Sequence, residues 1–374
     1  YGNYTMCNKN YKCDPELIEY FIRIASIPGL SGEESHLARF IQSELRDMGY
    51  TPYEDDAATA TGGSTGNIIC KINGGGDMVL MAHMDTARST EGLVPVYGED
   101  RLTSNGKTVL GVDDRVGVSC LLFALKNAIR KKLPLRSFTL LFTTHEETTL
   151  GGSQAVNLNG TAQMGVVFDS RHRPGCYVSA SSGAIAFRVR VHGKAAHSGI
   201  APEKGIDAIA ITANAISRLK LGRINEHTTA NIGTINGGSA INVVPDLTEI
   251  IGEVRSTDPH YAEEYAAVIS DAFEKAAEEK GGNAEFFYHW DFRPYHIPPE
   301  SEVMKRLTVA MKRVGLTPEP VFSWGGSDAN SLNAKGIMTV NVGTGAENPH
   351  SNDEYILYED LQKTYELAEA MMTV

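Results

Sequence analysis

Five short segments carry side chains that bind divalent metal ions and move protons. His83 and Asp85 stand in Met81-Ala82-His83-Met84-Asp85-Thr86, and Asp113 and Asp114 in Leu110-Gly111-Val112-Asp113-Asp114-Arg115. Glu146 and Glu147 are adjacent in Thr143-Thr144-His145-Glu146-Glu147-Thr148, Asp169 follows Val166-Val167-Phe168, and His350 lies in Asn348-Pro349-His350-Ser351-Asn352-Asp353-Glu354. Residues two apart on a strand point the same way. His83 and Asp85 can therefore serve one site, the carboxylate holding the second ring nitrogen of a metal-bound imidazole. Asp113, at a helix start, suits either complementing the helix dipole or bridging two cations, since a carboxylate has two oxygens to share. Of the two adjacent glutamates, one can bind metal while the other takes a proton from water whose pKa a metal has lowered to about 7. Asp169 offers a further carboxylate and His350 a second imidazole.

Taken singly, each segment also has a bland reading, as a polar pair after a strand or a structural histidine. Taken together, the ligands are His, Asp, Glu, Asp and His, with a spare Asp and Glu. Nitrogen and oxygen donors without thiolate suit zinc, and also cobalt or manganese. Five ligands are too many for one catalytic zinc, which takes three from the protein. Two ions that share one carboxylate and have two further ligands each account for all five.

The elements that must position these residues are legible as alternating apolar runs and amphipathic stretches. Strands are expected at Ile68–Ile72, Met78–Ala82, Ser137–Thr144 and Met164–Phe168, with helices at Pro15–Ile27, Glu33–Met48 and Arg115–Lys131. Ser31 reads as an N-cap with Glu34 completing a capping box, and Gly49 as the helix stop. Such alternation predicts an α/β sheet with helices on both faces, and ligands collect beyond the carboxyl ends of its strands. The texture then changes. Ala184–Val191, Thr229–Ile235, Leu247–Val254 and Asn283–Tyr288 read as strands, and Pro202–Leu219 and Pro259–Lys280 as helices, which is the pattern of a small α+β layer. Helices at Glu302–Val314 and Leu357–Met371 restore the α/β texture. The chain is thus expected to be an α/β domain, residues 1–179 and 293–374, interrupted by an α+β domain at 180–292. A length of 374 residues suits two domains.

Composition excludes some partners. A net charge of −12, from 34 basic and 46 acidic residues, lacks the basic excess that nucleic acids or anionic membranes attract. No apolar run approaches the roughly 18 residues of a membrane span. Cys7, Cys13, Cys70, Cys120 and Cys176 are scattered, without a CxxC pair, and read as free thiols of a reducing compartment. No cationic segment followed by an apolar one opens the chain, so the expected location is cytoplasmic. The run Gly62-Gly63-Ser64-Thr65-Gly66 lacks the Lys-Ser/Thr ending of a phosphate-binding loop.

In order, HMDT, GVDDRVG, THEE, FDS, HGKAAHSG, GGSDAN and NPHSNDE resemble the M20 metallopeptidase family, nearest its peptidase T-like (tripeptidase) branch, from about Asp14 onward. The M42 aminopeptidases share similar motifs, but the inserted segment looks like the M20 lid. The resemblance implies a zinc-peptidase-like catalytic domain with an inserted lid and dimerisation domain, two divalent ions, a short peptide substrate and a homodimer formed through the insert. It implies that His83 and Asp169 complete one metal, that Glu147 and His350 complete the other, and that Asp113 bridges them. Asp85 would orient His83, and Glu146 would be the general base and later acid. His197, in HGKAAHSG, matches a histidine that stabilises the tetrahedral intermediate. Arg255 matches an arginine that clamps a substrate carboxylate, and Asn242 lies in the matching substrate-side loop. The stretch Ala87–Thr108 is the candidate to shape a pocket for a free substrate amino terminus. Two competing readings are an N-acyl amino acid or N-acyl peptide amidohydrolase on the same scaffold, and a non-catalytic peptide-binding protein. The latter would be expected to lose a ligand or Glu146, and all seven residues are present.

Overall fold

A computed structural model describes residues 13–158, 160 and 162–374; Cys7 lies outside the described residues. The chain divides into two compact units.

The first unit comprises the chain up to Ser179, His296–Phe322 and Ser327–Val374. Its sheet runs in the order Tyr53–Glu54, Ile68–Ile72, Phe138–Thr143, Met78–His83, Met164–Ser170, Met338–Gly343, Cys176–Ser181. The four strands from Phe138–Thr143 to Met338–Gly343 are parallel to one another, and the outer pairings on either side are antiparallel. Met78–His83 and Phe138–Thr143 are buried at every residue, which is why they read as unbroken apolar runs rather than alternating ones. The helix Val112–Arg130 packs on Met78–His83 and Met164–Ser170 and is itself covered by Pro15–Ala25 and Tyr358–Met372. Apolar residues surround its axis, from Val116 to Ala128, because all its sides are covered.

Because the four central strands are parallel, His83, Thr143, Ser170 and Gly343 end them on one edge of the sheet. Three of the predicted segments thus meet by topology alone. Asp169 lies inside its strand rather than after it. Part of the stretch Ala87–Thr108 folds as two paired strands, Pro95–Tyr97 and Arg101–Ser104, the second of which also pairs with Tyr355–Leu357 just beyond the His350 loop.

The capping box expected at Ser31 does not form. The second helix starts at Ser35, the Ser31 hydroxyl donates to Asp85 Oδ2 at 2.6 Å, and Glu34 Oε1 accepts from the backbone N–H groups of Gly32 and His145. The Asp85 carboxylate, as acceptor for Ser31, and the Gly32 and His145 N–H groups, as donors to Glu34, take both side chains from the cap.

The second unit is Ala180–Tyr295 with Ser323–Gly326. Its antiparallel sheet has the order Gly222–Asn225, Thr228–Gly237, Leu247–Ser256, Gly183–His192, Asn283–Phe292. Helices Ala208–Arg218 and Pro259–Glu278 cover one face, so Ile185, Phe187, Val189 and Val191 are buried while Arg188 and Arg190 alternate outward. Ser323–Gly326 joins this unit rather than the first because Ser182 and Arg255 bond its backbone carbonyls. The helix expected from Pro202 is broken. Pro202–Lys204 forms one 3-10 turn, Ile206 exchanges two backbone bonds with Lys194, and Asp207 then caps a helix starting at Ala208. The ladder bonds at Ile206 take the backbone groups that a continuous helix would have used.

Phe187 is 1 % exposed and stacks on Phe286 at 5.7 Å. Phe187→Ala should destabilise this unit by about 3–5 kcal/mol, read as a lower urea midpoint for loss of its structure.

Candidate metal centre

His83 is 1 % exposed, and its Nδ1 lies 3.0 Å from the Asp85 backbone oxygen and 3.4 Å from Asp85 Oδ1. An Nδ1–H donated to that carbonyl leaves a lone pair on Nε2. Around Nε2 stand Asp113 Oδ1 at 3.1 Å, Asp169 Oδ1 at 3.5 Å and Glu146 Oε2 at 3.9 Å. Acceptors converging on a lone pair repel unless a proton or a cation sits among them.

The second imidazole completes the pattern. His350 Nε2 is 2.9 Å from Glu147 Oε2 and 3.3 Å from Asp113 Oδ2. Asp113 thus turns one oxygen to each histidine. Donor atoms of His83, Asp113 and Glu147 lie within 4.8 Å of one another, as do those of His83, Asp114 and Asp169. Asp114 is spoken for, since Oδ2 accepts from His83 N at 3.1 Å and Oδ1 from Gly117 N at 3.1 Å. It braces the backbone of His83.

Asp85 does more than face His83. Oδ1 accepts from Glu146 N at 3.0 Å, and Oδ2 accepts from Glu147 N at 3.1 Å and from Ser31. One carboxylate therefore holds the turn that presents both glutamates. Asp169 is held in turn by Asn341, whose amide oxygen accepts from Asp169 N and whose amide nitrogen donates to Asp169 Oδ2.

Electrostatics describe a site with surplus negative charge. Burial, followed by neighbouring acids, pushes the Asp114, Glu146, Glu147 and Asp169 carboxyls above the usual range. Burial opposes ionisation of Asp85 and Asp113 too, but the imidazoles beside them hold both low, Asp85 at about 2. Burial would lower His83, yet Glu146, Asp113, Asp169 and Asp85 together hold it well above its ordinary value. Hydrogen bonds from His350 to Asp113 and Glu147 raise that ring to about 10. Five carboxylates facing two imidazoles, with all donors nitrogen or oxygen, form a set that divalent cations fit.

The comparisons with known proteins agree with that chemistry. Residues 179–281 match the Peptidase dimerisation domain. The chain is 33 % identical to Uncharacterized protein YqjE of Bacillus subtilis over 363 residues, covering 96 % of this chain and 98 % of that one. Among solved structures it is similar to aminopeptidase PepT from Bacillus cereus, with TM-score 0.88, 33 % identity and coverage of 96 % and 98 %. It is also similar to a tripeptidase from Staphylococcus aureus, with TM-score 0.90, 29 % identity and the same coverage. The chain belongs to the M20 metallopeptidase family. It stands in the peptidase T-like branch and is an enzyme of the peptidase class.

Of the residues singled out in this M20 sequence, His83, Asp85, Asp113, Glu146, Glu147, Asp169 and His350 converge in the first unit. The other three lie in the second. His197 and Asn242 are exposed on adjoining segments, where Ser198 N donates to Asn242 O at 3.0 Å and His197 bridges Val243. The Arg255 guanidinium is already engaged. Nε and Nη2 donate to the two Glu253 oxygens at 3.0 Å each, and Nη1 donates to Trp324 O at 2.8 Å.

Three buried neighbours of the site were given no role in the sequence reading. They are Arg115, Asp328 and Glu354. Arg115 is fully buried and donates to Gly29 O at 3.3 Å; burial lowers its pKa to about 10 against the raising effect of Asp85, Glu34 and Asp114. Asp328, in GGSDAN, is buried, accepts from Thr143 Oγ1 and is raised to about 6, chiefly by burial. Nothing in their spacing distinguished them, although all three stand inside the quoted motifs GVDDRVG, GGSDAN and NPHSNDE.

The His350 shift fixes a pH dependence for the metal-free protein. A ring raised from 6.5 to about 10 contributes stability that is complete below 6.5 and lost as pH rises through about 10. In chelator, the melting temperature should fall over that window, and His350→Ala should make the fall shallower.

Proposed function

We propose that the protein is a dinuclear metallohydrolase that cleaves one peptide bond of short peptides, acting as a tripeptidase or aminopeptidase. The observation that carries this reading is the division of Asp113 between His83 and His350. In this reading His83 and Asp169 would hold one ion, Glu147 and His350 the other, and Asp113 would serve both. Zinc suits the donors, and cobalt or manganese can replace it. Such ions lower the pKa of water and polarise a carbonyl oxygen.

The remaining steps fall to side chains. Glu146 takes a proton from the attacking water and returns it to the departing amine. Asp85 fixes His83 and the Glu146–Glu147 turn. His197 stabilises the oxyanion, Asn242 contacts substrate beside it, and Arg255 receives a substrate carboxylate once its bond to Glu253 opens. The Ala87–Thr108 stretch shapes the amine-binding end. The printed names of the two similar solved structures, an aminopeptidase and a tripeptidase, support this substrate class. The match to a dimerisation domain supports a homodimer through the inserted unit. Cys13, Cys70, Cys120 and Cys176 are free thiols, which supports a reducing, cytoplasmic location. Among the described residues no helix is long and apolar enough to cross a membrane.

Free and N-acetylated tripeptides, offered to protein stripped of metal and refilled with zinc, cobalt or manganese, test the reading. Cleavage confined to the free peptides is expected; cleavage confined to the acetylated ones would make it an amidohydrolase. Glu146→Gln should keep its metal and lose about 10²–10⁴-fold in kcat; near-normal turnover would remove Glu146 as the base. His197→Ala should lower kcat with metal content unchanged, and unaltered kinetics would leave that residue structural.

A further inference from the structure

Glu354 is 1 % exposed, and its two oxygens reach away from its own loop. Oε2 accepts from Gly111 N at 2.6 Å and Oε1 from Asp113 N at 3.1 Å. These are the orphaned donors of a helix start, on backbone that cannot satisfy itself. Gly111 has a φ of +76°, and Asp113 and Asp114 depart from helical angles. At the other end, Glu354 N donates to Ser351 O at 3.0 Å, immediately after His350. Asn348 and His350 both have positive φ, 53° and 64°. Non-glycine residues keep such angles only where their surroundings impose them. Paired backbone bonds between Glu347 and Tyr355 close the base of that loop.

We propose that Glu354 is a positioning residue that fastens the Asp113 segment to the His350 loop and thereby assembles the second metal position. The inference rests on the dinuclear reading above. It follows from how differently the two positions are supported. His83 and Asp169 belong to adjacent strands of the central sheet, and Asn341 on a third strand holds Asp169. Asp113 and His350 come from a helix start and a loop, and one carboxylate ties them together. Without it the bridging ligand and the second imidazole lose register with each other, while His83 and Asp169 keep theirs.

The test is zinc titration of the metal-stripped full-length protein by calorimetry, with the melting temperature of each metal-free variant alongside. Wild type should bind two ions. Glu354→Gln, which keeps the volume but turns an N–H₂ group toward backbone donors, should weaken one of the two sites by about 10–100-fold and the other, which shares Asp113 but keeps its two strand-borne ligands, clearly less. Glu354→Ala should do the same or more. Asp360→Asn supplies the control: Asp360 is equally buried near the start of the following helix, pairs with Arg173 at 2.9 Å and contacts none of the ligands. It should lose stability without loss of zinc affinity. Wild-type affinity at both sites in Glu354→Gln, or equal loss in Asp360→Asn, would overturn the positioning role alone. Failure of wild type to bind two ions would instead refute the dinuclear reading and this inference with it.

Discussion

Asp113 divides its carboxylate between two histidines that stand 30 residues before it and 237 residues after it in the chain, and the rest of the first unit is arranged around that division. For Oδ1 to reach His83, the start of the long buried helix must lie over the carboxyl end of Met78–His83, which helix packing on that strand provides. For Oδ2 to reach His350, a loop from the far end of the chain must return to the same edge. The parallel pairing of Met338–Gly343 with Met164–Ser170 brings it there. The sheet order is thus what makes a bridging carboxylate available at all.

A cluster of this kind is unfavourable for an empty fold. Buried carboxylates repel one another and lose their hydration, which is why so many of them here are pushed toward the neutral form. The structure limits that cost by giving the acids different work. Asp85 and Asp114 spend their oxygens on backbone N–H groups and stay out of the ligand set, whereas Asp113, Glu147 and Asp169 keep oxygens turned toward the imidazoles. Arg115 adds a buried positive charge behind Asp85, Glu34 and Asp114. The residues that brace are more buried than those that would bind, of which His350 is half-exposed.

Much of this was legible in the sequence because strand ends announce themselves. Apolar runs broken by His83 or by Glu146 and Glu147 locate both the strands and the edge where their products meet. The α/β order and the inserted α+β layer follow from the same periodicities. What escaped reading depends on partners distant in sequence. Ser31 and Glu34 have the spacing of a capping box, yet their bonds go to Asp85 and to His145 N, which no local pattern encodes. Asp114 and Asp113 are neighbours of the same type, and only backbone geometry sends one toward N–H groups and the other toward histidines. Glu354 looked like one more acid in a polar loop. The break at Ile206 was hidden because Pro202 and the apolar spacing beyond it suit one helix, and a ladder to Lys194 intervenes.

Arg255 shows how a residue with the right type and position can still be constrained. Its Nε–Nη2 edge, the fork that matches a carboxylate, is filled by both oxygens of Glu253, and Nη1 holds the Trp324 carbonyl. A substrate carboxylate can take that fork only by displacing Glu253. One charge-assisted pair is then exchanged for another, so the net gain in binding is far smaller than a free guanidinium would give. Both partners are partly exposed, which screens the pair and makes its opening easier. On the proposed reading Arg255 would be a gated donor, and Glu253, two residues earlier on the same strand, would set how readily it admits an acidic terminus.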